Sequence, residues 1–240
     1  IDADQMLRQA DQAMYQAKLS GKNRFHVFDR ALDRAVRGSH ENIEWIRAGL
    51  NRGEFELFYQ PKVNMATSQV TGLEALIRWR NPELGLLQPA RFLPEIEQHP
   101  LIVQVDFWVI NQALEQAARW QTDGLSLPIS INISATSLQH PDFVRSLKVA
   151  LEHFPQVPPK NIELEILETA ALEDIVHTSL ILESCLNLGV SIAIDDFGTG
   201  YSSLTYLKTL PINTLKIDQS FVRGLVDNRD DLAIIEGVMG

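Results

Sequence analysis

Two adjacent acids, Asp195 and Asp196, end the β-branched run Val190-Ser-Ile-Ala-Ile and open into the loop Phe197-Gly-Thr-Gly-Tyr-Ser-Ser-Leu204. Neighbouring carboxylates repel, so such a pair at the mouth of a strand calls for a cation between or beside them. The plainer reading is an acidic turn, because Asp and Gly are ordinary turn residues. Three more oxygen-bearing residues favour the cation, and a lysine stands beside them. Glu74, Asn132, Glu165 and Lys216 each stand toward the C-terminal end of a strand-like run. Hard oxygen ligands without Cys or His select Mg²⁺ or Mn²⁺ over zinc or copper. Two such ions a few ångström apart suit phosphodiester hydrolysis, since they bind the phosphate, activate the attacking water and stabilise the leaving oxygen. Lys216 would orient that water or help deprotonate it.

The elements that must position these groups follow from periodicity. Strand-like runs occupy 55–63, 70–79, 128–134, 161–167, 190–195 and 213–218, and helical runs 91–97, 103–121, 141–153, 174–188, 202–209 and 230–239. Repeated βα units predict an α/β fold with a parallel sheet, and this many predict a modified (β/α)8 TIM-like barrel. The first two strands are joined by a short turn, Asn64 to Gln69, and are expected to pair antiparallel. A whole barrel takes ~250 residues and eight strands. Six are legible, and the chain stops inside a helical pattern, Ile234 to Gly240, so a C-terminally truncated barrel is expected, without its last two units.

Side chains alternate faces along a strand. Ile129, Ile131 and Ile133 oppose Ser130, Asn132 and Ser134; Ile162, Leu164 and Ile166 oppose Glu163 and Glu165; Val190, Ile192 and Ile194 oppose Ser191, Ala193 and Asp195. Leu73, Ala75 and Ile77 oppose Glu74, Leu76 and Arg78, and Leu215 and Ile217 oppose Lys216 and Asp218. Each apolar face suits the outer helices, and each polar face converges where barrel active sites sit. Glu74, Asn132, Glu165, Asp195 and Asp196 would form one cluster, with Lys216 at its rim. Duller readings stand beside this one. Glu74 could pair with Arg78 or Arg80, Asn132 could cap the following turn, Glu163, Glu165 and Glu168 could edge a solvated strand, and Lys216 could be an exposed sheet residue.

The 240 residues carry a net charge of −10, which argues against a DNA, RNA or anionic-membrane surface, though metal ions could still recruit a phosphate ligand locally. Their 45% hydrophobic content is that of a globular protein, and no run approaches the ~20 apolar residues of a membrane span. Six histidines (His26, His40, His99, His140, His153, His177) form no ligand-spaced pair. The lone Cys185 cannot form an internal disulfide, as suits a reducing cytoplasm. Residues 4–19 read as a helix and 24–28 as a strand, too little for a domain, and 31–52 as a polar linker helix.

The residues collected from 41 onward resemble the EAL domain family of cyclic-di-GMP phosphodiesterases. Glu74-Ala-Leu76 is the family signature, within Gly72-Leu-Glu-Ala-Leu-Ile-Arg-Trp79. Tyr59-Gln-Pro61, Pro94-Glu95, Ser130-Ile-Asn-Ile-Ser134, Glu163-Leu-Glu-Ile-Leu-Glu168, Asp195 to Leu204 and Leu215-Lys-Ile-Asp218 follow in the family's order. The resemblance implies metal ligation by Glu74, Asn132, Glu165, Asp195 and Asp196, a catalytic lysine at Lys216, and catalytic importance for Glu74 and Asp195. It further implies dinucleotide contacts from Gln60, Leu76 and Arg78, and a loop held by Glu168 through Ser202. Hydrolysis of cyclic di-GMP to linear pGpG is the implied reaction, with two Mg²⁺ or Mn²⁺ ions, in a homodimer formed through the loop and helix after Asp196. Leu167 stands where the family commonly has Thr. The family's seventh and eighth strands supply a further catalytic glutamate and a substrate-side glutamine, and neither segment is legible here. Ala10-Asp-Gln-Ala-Met-Tyr-Gln-Ala-Lys18 with Gly21-Lys-Asn-Arg24 resembles the end of a GGDEF (diguanylate cyclase) domain. The expected layout is therefore a GGDEF remnant over 1–30, a linker helix over 31–52 and an EAL domain over 53–240. A receptor that binds cyclic di-GMP without cleaving it is the alternative, as is a domain serving only dimerisation; the intact ligand positions count against both.

Overall fold

A computed structural model describes residues 30–198 and 209–224. The expectations for 4–19, 24–28, 202–208 and 230–239 fall outside the described residues. The chain divides into two compact units, Ile1–Ala48 and Gly49–Gly240. The described part of the first belongs to helix α1 (Arg30–Asn51), along which Arg47 pairs with Glu44 one turn away at 3.3 Å. Gly53, with φ +71°, supplies the left-handed residue that follows the helix end.

In the second unit β1 (Phe55–Val63) runs antiparallel to β2 (Val70–Asn81). Asn64 builds the turn between them by accepting the backbone N–H groups of Ala66 and Thr67 on its side chain. A third strand, β3 (Gly85–Leu87), folds back on the end of β2, where Asn81 caps the turn in the same way. Sequence periodicity missed β3, which is too short to show alternation. Helix α2 (Leu101–Thr122) then crosses to β4 (Ile129–Ile133), the first parallel neighbour of β2. The short α3 (Ala135–Leu138) and α4 (Phe143–His153) lead to β5 (Ile162–Leu167). Helices α5 (Glu168–Glu173) and α6 (Ile175–Asn187) lead to β6 (Ser191–Phe197), followed by β7 (Thr214–Ile217) and α7 (Gln219–Gly224). The sheet order is β1-β2-β4-β5-β6-β7, with β3 on β2, and every pairing from β2–β4 onward is parallel. This is the α/β barrel architecture with an antiparallel first strand, over the described residues.

The helix expected over 91–97 is instead two short 3-10 turns, Pro89–Arg91 and Leu93–Glu95. Pro89 and Pro94 each lack the backbone N–H that a continuous helix would use, so each starts its own turn.

Packing follows the alternation. Ile129, Ile131, Ile162, Leu164, Ile166, Ile192 and Ile194 are fully buried on the helix-facing side. Against β4, β1 and β2 helix α2 lays the stripe Leu101, Ile102, Val105, Val109, Ile110, Ala113, Leu114, Ala117 and Ala118, while α5 packs on β5 and β6 and α6 on β6. Trp79 is buried beside the rings of Phe55 (5.1 Å) and Phe92 (5.7 Å), its indole N–H donating to Glu54. Cys185 is buried on α6, and burial pushes its thiol up to about 12, which leaves it an inert apolar filler.

Candidate active site

The side of the sheet turned away from the helices carries charge. Strands β1 and β5 are three places apart, about 14 Å on a flat sheet, yet Lys62 of β1 reaches Glu163 and Glu165 of β5 at 2.6 and 3.1 Å. Only a sheet curled around this face brings those tips together. Its concave surface is the interior of the partial barrel.

Parallel register then fixes the site. Glu74 lies level with Ser130, Asn132 with Glu165, and Leu167 with Asp195. Oxygen atoms of Glu74, Glu165 and Asp195 lie within 4.8 Å of one another. Asn132 joins them by donating its amide to Glu74 at 3.0 Å. Lys216 sits at the centre of this group and not at its rim: it donates to Glu165 at 2.5 Å and Asp195 at 2.8 Å, and lies 3.6 Å from Glu74. Burial alone would lower its pKa, but the hydrogen bonds to Asp195 and Glu165, with the charges of Glu165 and Glu74, hold it above the ordinary lysine value. A lysine so held keeps its ammonium form at neutral pH, with its protons turned into the oxygen cluster.

The two consecutive acids of β6 are a local irregularity. Ile194 pairs with Leu215 and Phe197 with Ile217, three residues against two. This bulge, with Asp196 in left-handed conformation (φ 54°), lets two successive side chains serve one mouth of the barrel. Asp196 is exposed and stands outside the tight oxygen group. Burial, then the charges of Asp195 and Asp218, raise its pKa, and it shares a hydrogen bond with Asp218 at the end of β7.

Donor chemistry and spacing suit a hard divalent cation. An octahedral shell with bonds near 2.1 Å puts opposite ligands about 4.2 Å apart, close to the span of the Glu74–Glu165–Asp195 oxygens. Glu74, Glu163, Glu165 and Asp195 stand against Lys62 and Lys216, an excess of two formal negative charges that one divalent ion neutralises.

The duller readings give way at several positions. Arg80 pairs with Glu56, not Glu74. Ser134, not Asn132, caps the following helix, accepting the Ser137 N–H. Glu165 has a fully buried side chain, and Glu168 is 2% exposed rather than on a solvated edge. The carboxylate of Glu168 accepts the Gly198 N–H at 2.9 Å, so it grips the loop after Asp196 at that loop's first glycine. Ser202 lies outside the described residues. Gly198 is itself pressed against Phe221 of α7: a Cβ there would sit 2.6 Å from the ring, and its φ is +100°.

Gln60, Leu76 and Arg78 line the concave face beside the cluster. Gln60 is exposed opposite Glu74, Leu76 pairs with Phe58, and Arg78 lies 5.6 Å over the Phe58 ring. Three site neighbours were not singled out from sequence: Phe58 and Lys62 on β1, and Asp106 on α2. The alternation read on five strands, extended to β1, puts Phe58, Gln60 and Lys62 on one face and would have found the first two. Asp106 has no such signal, because a single acid in an apolar helix shows nothing of what it faces.

The EAL domain family model matches residues 43–240. Among curated relatives, the bifunctional diguanylate cyclase/cyclic di-GMP phosphodiesterase MucR of Pseudomonas aeruginosa is 38% identical over 236 residues, 98% of this chain and 34% of MucR. The cyclic di-GMP phosphodiesterase NbdA of the same organism is 37% identical over 239 residues, 98% of this chain and 30% of NbdA. The chain thus spans about a third of the length of these relatives. Among solved structures, the MucR phosphodiesterase in complex with c-di-GMP superposes with a TM-score of 0.78 at 40% identity, covering 82% of this chain and 80% of that one. The EAL enzyme Bd1971 with cAMP and cyclic di-GMP bound superposes with a TM-score of 0.80 at 32% identity, covering 100% and 63%.

Proposed function

The chain belongs to the EAL domain family, and on that premise we propose that it hydrolyses one phosphodiester bond of cyclic di-GMP to give linear pGpG. The observation that carries this reading is the Glu74–Glu165–Asp195 oxygen cluster closed around Lys216. Glu74, Asn132, Glu165, Asp195 and Asp196 would hold two Mg²⁺ or Mn²⁺ ions. Such ions supply positive charge to the phosphate and lower the pKa of water. Asn132 holds Glu74 in place through its amide N–H while its side-chain carbonyl oxygen would ligate the metal. Asp195 and Glu165 steady the Lys216 ammonium, which donates a hydrogen bond to the attacking water. As water adds to phosphorus the P–O3′ bond breaks, leaving a 5′-phosphate and a free 3′-hydroxyl. Gln60, Leu76 and Arg78 receive the dinucleotide. Phe58, 42% exposed beside Arg78, offers a face on which a guanine can stack.

Around this core, residues 1–30 are read as the end of a GGDEF domain, 31–52 as a linker helix and 53–240 as the EAL domain. The MucR match over 98% of the chain, extending ahead of residue 43, supports the first of these, since MucR is named a diguanylate cyclase as well. A homodimer through the loop and helix after Asp196 and a cytoplasmic setting complete the reading. Glu168 anchors that loop through Gly198 and, in this reading, through Ser202.

Turnover of cyclic di-GMP by the full-length protein with Mg²⁺ or Mn²⁺ tests the proposal. Accumulation of pGpG is expected. Binding of the dinucleotide without cleavage under either ion would replace the enzyme by a receptor.

A further inference from the structure

Asp106 on α2 is 7% exposed, and among the described residues no Lys, Arg or His pairs with it. Burying a carboxylate without a cation is costly unless hydrogen bonds replace its water. Here a single oxygen, Oδ2, accepts both the backbone N–H of Ser134 at 3.0 Å and its hydroxyl at 2.6 Å. The same hydroxyl contacts Ser137 Oγ at 3.0 Å and accepts the Ser137 N–H at 3.1 Å. Capping α3 requires only the last of these, and Ser134 provides it unaided. The carboxylate therefore does something beyond the cap: its two bonds to Ser134, one to the backbone N–H and one to the hydroxyl, fix the backbone where β4 ends. Two residues earlier on that strand stands Asn132, whose amide holds Glu74 at 3.0 Å.

We propose that Asp106 is a positioning residue for the metal site, acting through Ser134 to hold Asn132, and through it Glu74, in ligating geometry. The inference rests on the reading of Asn132 and Glu74 as ligands. Outer partners of this kind typically change metal affinity ~10–100-fold when removed.

The test is Mn²⁺ binding to the full-length protein without dinucleotide, followed by titration calorimetry or the spin-resonance signal of free Mn²⁺. Asp106→Ala is expected to weaken binding about 10- to 100-fold. Asp106→Asn keeps an acceptor for both Ser134 donors and is expected to stay within about threefold of the parent, well short of that loss. In an Asn132→Ala background, adding Asp106→Ala should cost nothing more, because the two substitutions remove the same link. Additive losses would overturn the proposal, as would an Asp106→Ala protein that melts earlier but binds Mn²⁺ normally. Should Asp106→Ala fail to fold, Ser134→Ala, which removes the hydroxyl's bond to Asp106 together with its cap on α3, is carried through the same comparison with Asn132→Ala. If Asn132→Ala itself leaves Mn²⁺ binding unchanged, the ligand reading of Asn132 fails, and the role of Asp106 fails with it.

Discussion

The ammonium of Lys62 lies 3.1 Å from the carboxylate of Glu165, three strands away in the sheet. Lys216 holds the other oxygen of that carboxylate at 2.5 Å. A fully buried Glu165 is thus fixed from both sides by cations of strands that are remote in sequence, and the barrel interior becomes a column of alternating charge. Below Glu165, Glu163 accepts hydrogen bonds from Lys62, Ser130 and Thr214, tying β1, β4, β5 and β7 together.

This column predicts a pH dependence of stability. Burial would raise the pKa of Glu163, but the hydrogen bonds from Lys62 and Ser130, the Lys62 charge and the Thr214 hydroxyl outweigh it and set the value below the ordinary 4.5. A carboxyl whose pKa is depressed on folding stabilises the protein above its unfolded pKa, and that contribution is lost as pH falls through the folded value. Urea unfolding between about pH 3 and pH 6 should therefore show a decline toward acid that is flatter in Glu163→Gln. At neutral pH, Lys62→Met should cost about 1–3 kcal/mol, less than breaking a fully buried pair, because Lys62 and Glu163 keep some water contact and the buried Glu165 keeps Lys216. An unaltered pH slope in Glu163→Gln would show that the column contributes nothing to acid stability.

Much of this site was legible because strand alternation is a strict two-residue rule. Once Ile129, Ile131 and Ile133 face the helices, Asn132 must face inward, and the same holds for Glu165 and Asp195. Family motifs added roles that alternation does not contain. Illegible from sequence were relations that depend on curvature and on long-range contact. Lys62 stands next to the β1–β2 turn, and only the curl of the sheet carries it to β5. Lys216 moved from rim to centre because three carboxylates converge on it, and Glu168 found its partner in a backbone N–H, which no side-chain motif reveals. The region at 91–97 misled for a local reason, its prolines breaking an otherwise helical spacing.

Within the oxygen cluster, Glu74→Ala and Asp195→Asn should each lower cyclic-di-GMP turnover by more than about 100-fold, beyond the range typical of outer partners. Folding should survive, since both side chains stand apart from the apolar packing. Either variant turning over within about threefold of the parent would contradict the ligand assignment, because such a loss falls short even of an outer partner's.

Glu168 accepts a hydrogen bond from the Gly198 N–H, at the start of the loop after Asp196. Glu168→Ala should leave that half-buried N–H without its acceptor, at a cost of about 1 kcal/mol. Turnover should fall as the loop loses its anchor, while the circular dichroism of the folded protein stays near that of the parent. Glu168→Gln keeps an acceptor in place and should recover most of the lost rate. Identical kinetics in the Ala variant would separate the loop anchor from catalysis.

Phe58 provides the sharpest test of how substrate lies in the mouth. A large ring 42% exposed on the concave face, with Arg78 stacked over it and Leu76 opposite, has no packing reason to face water. Base–aromatic stacking contributes about 1–3 kcal/mol by alanine substitution. A ring stacked on a guanine base does not touch the phosphorus, so its loss should weaken ground state and transition state alike. Phe58→Ala should therefore raise KM roughly 5- to 150-fold with kcat nearly unchanged, and Phe58→Trp should keep KM close to the parent value. A fall in kcat at constant KM would place Phe58 among the groups that shape the reacting centre. No change in either constant would mean that the guanines lie elsewhere.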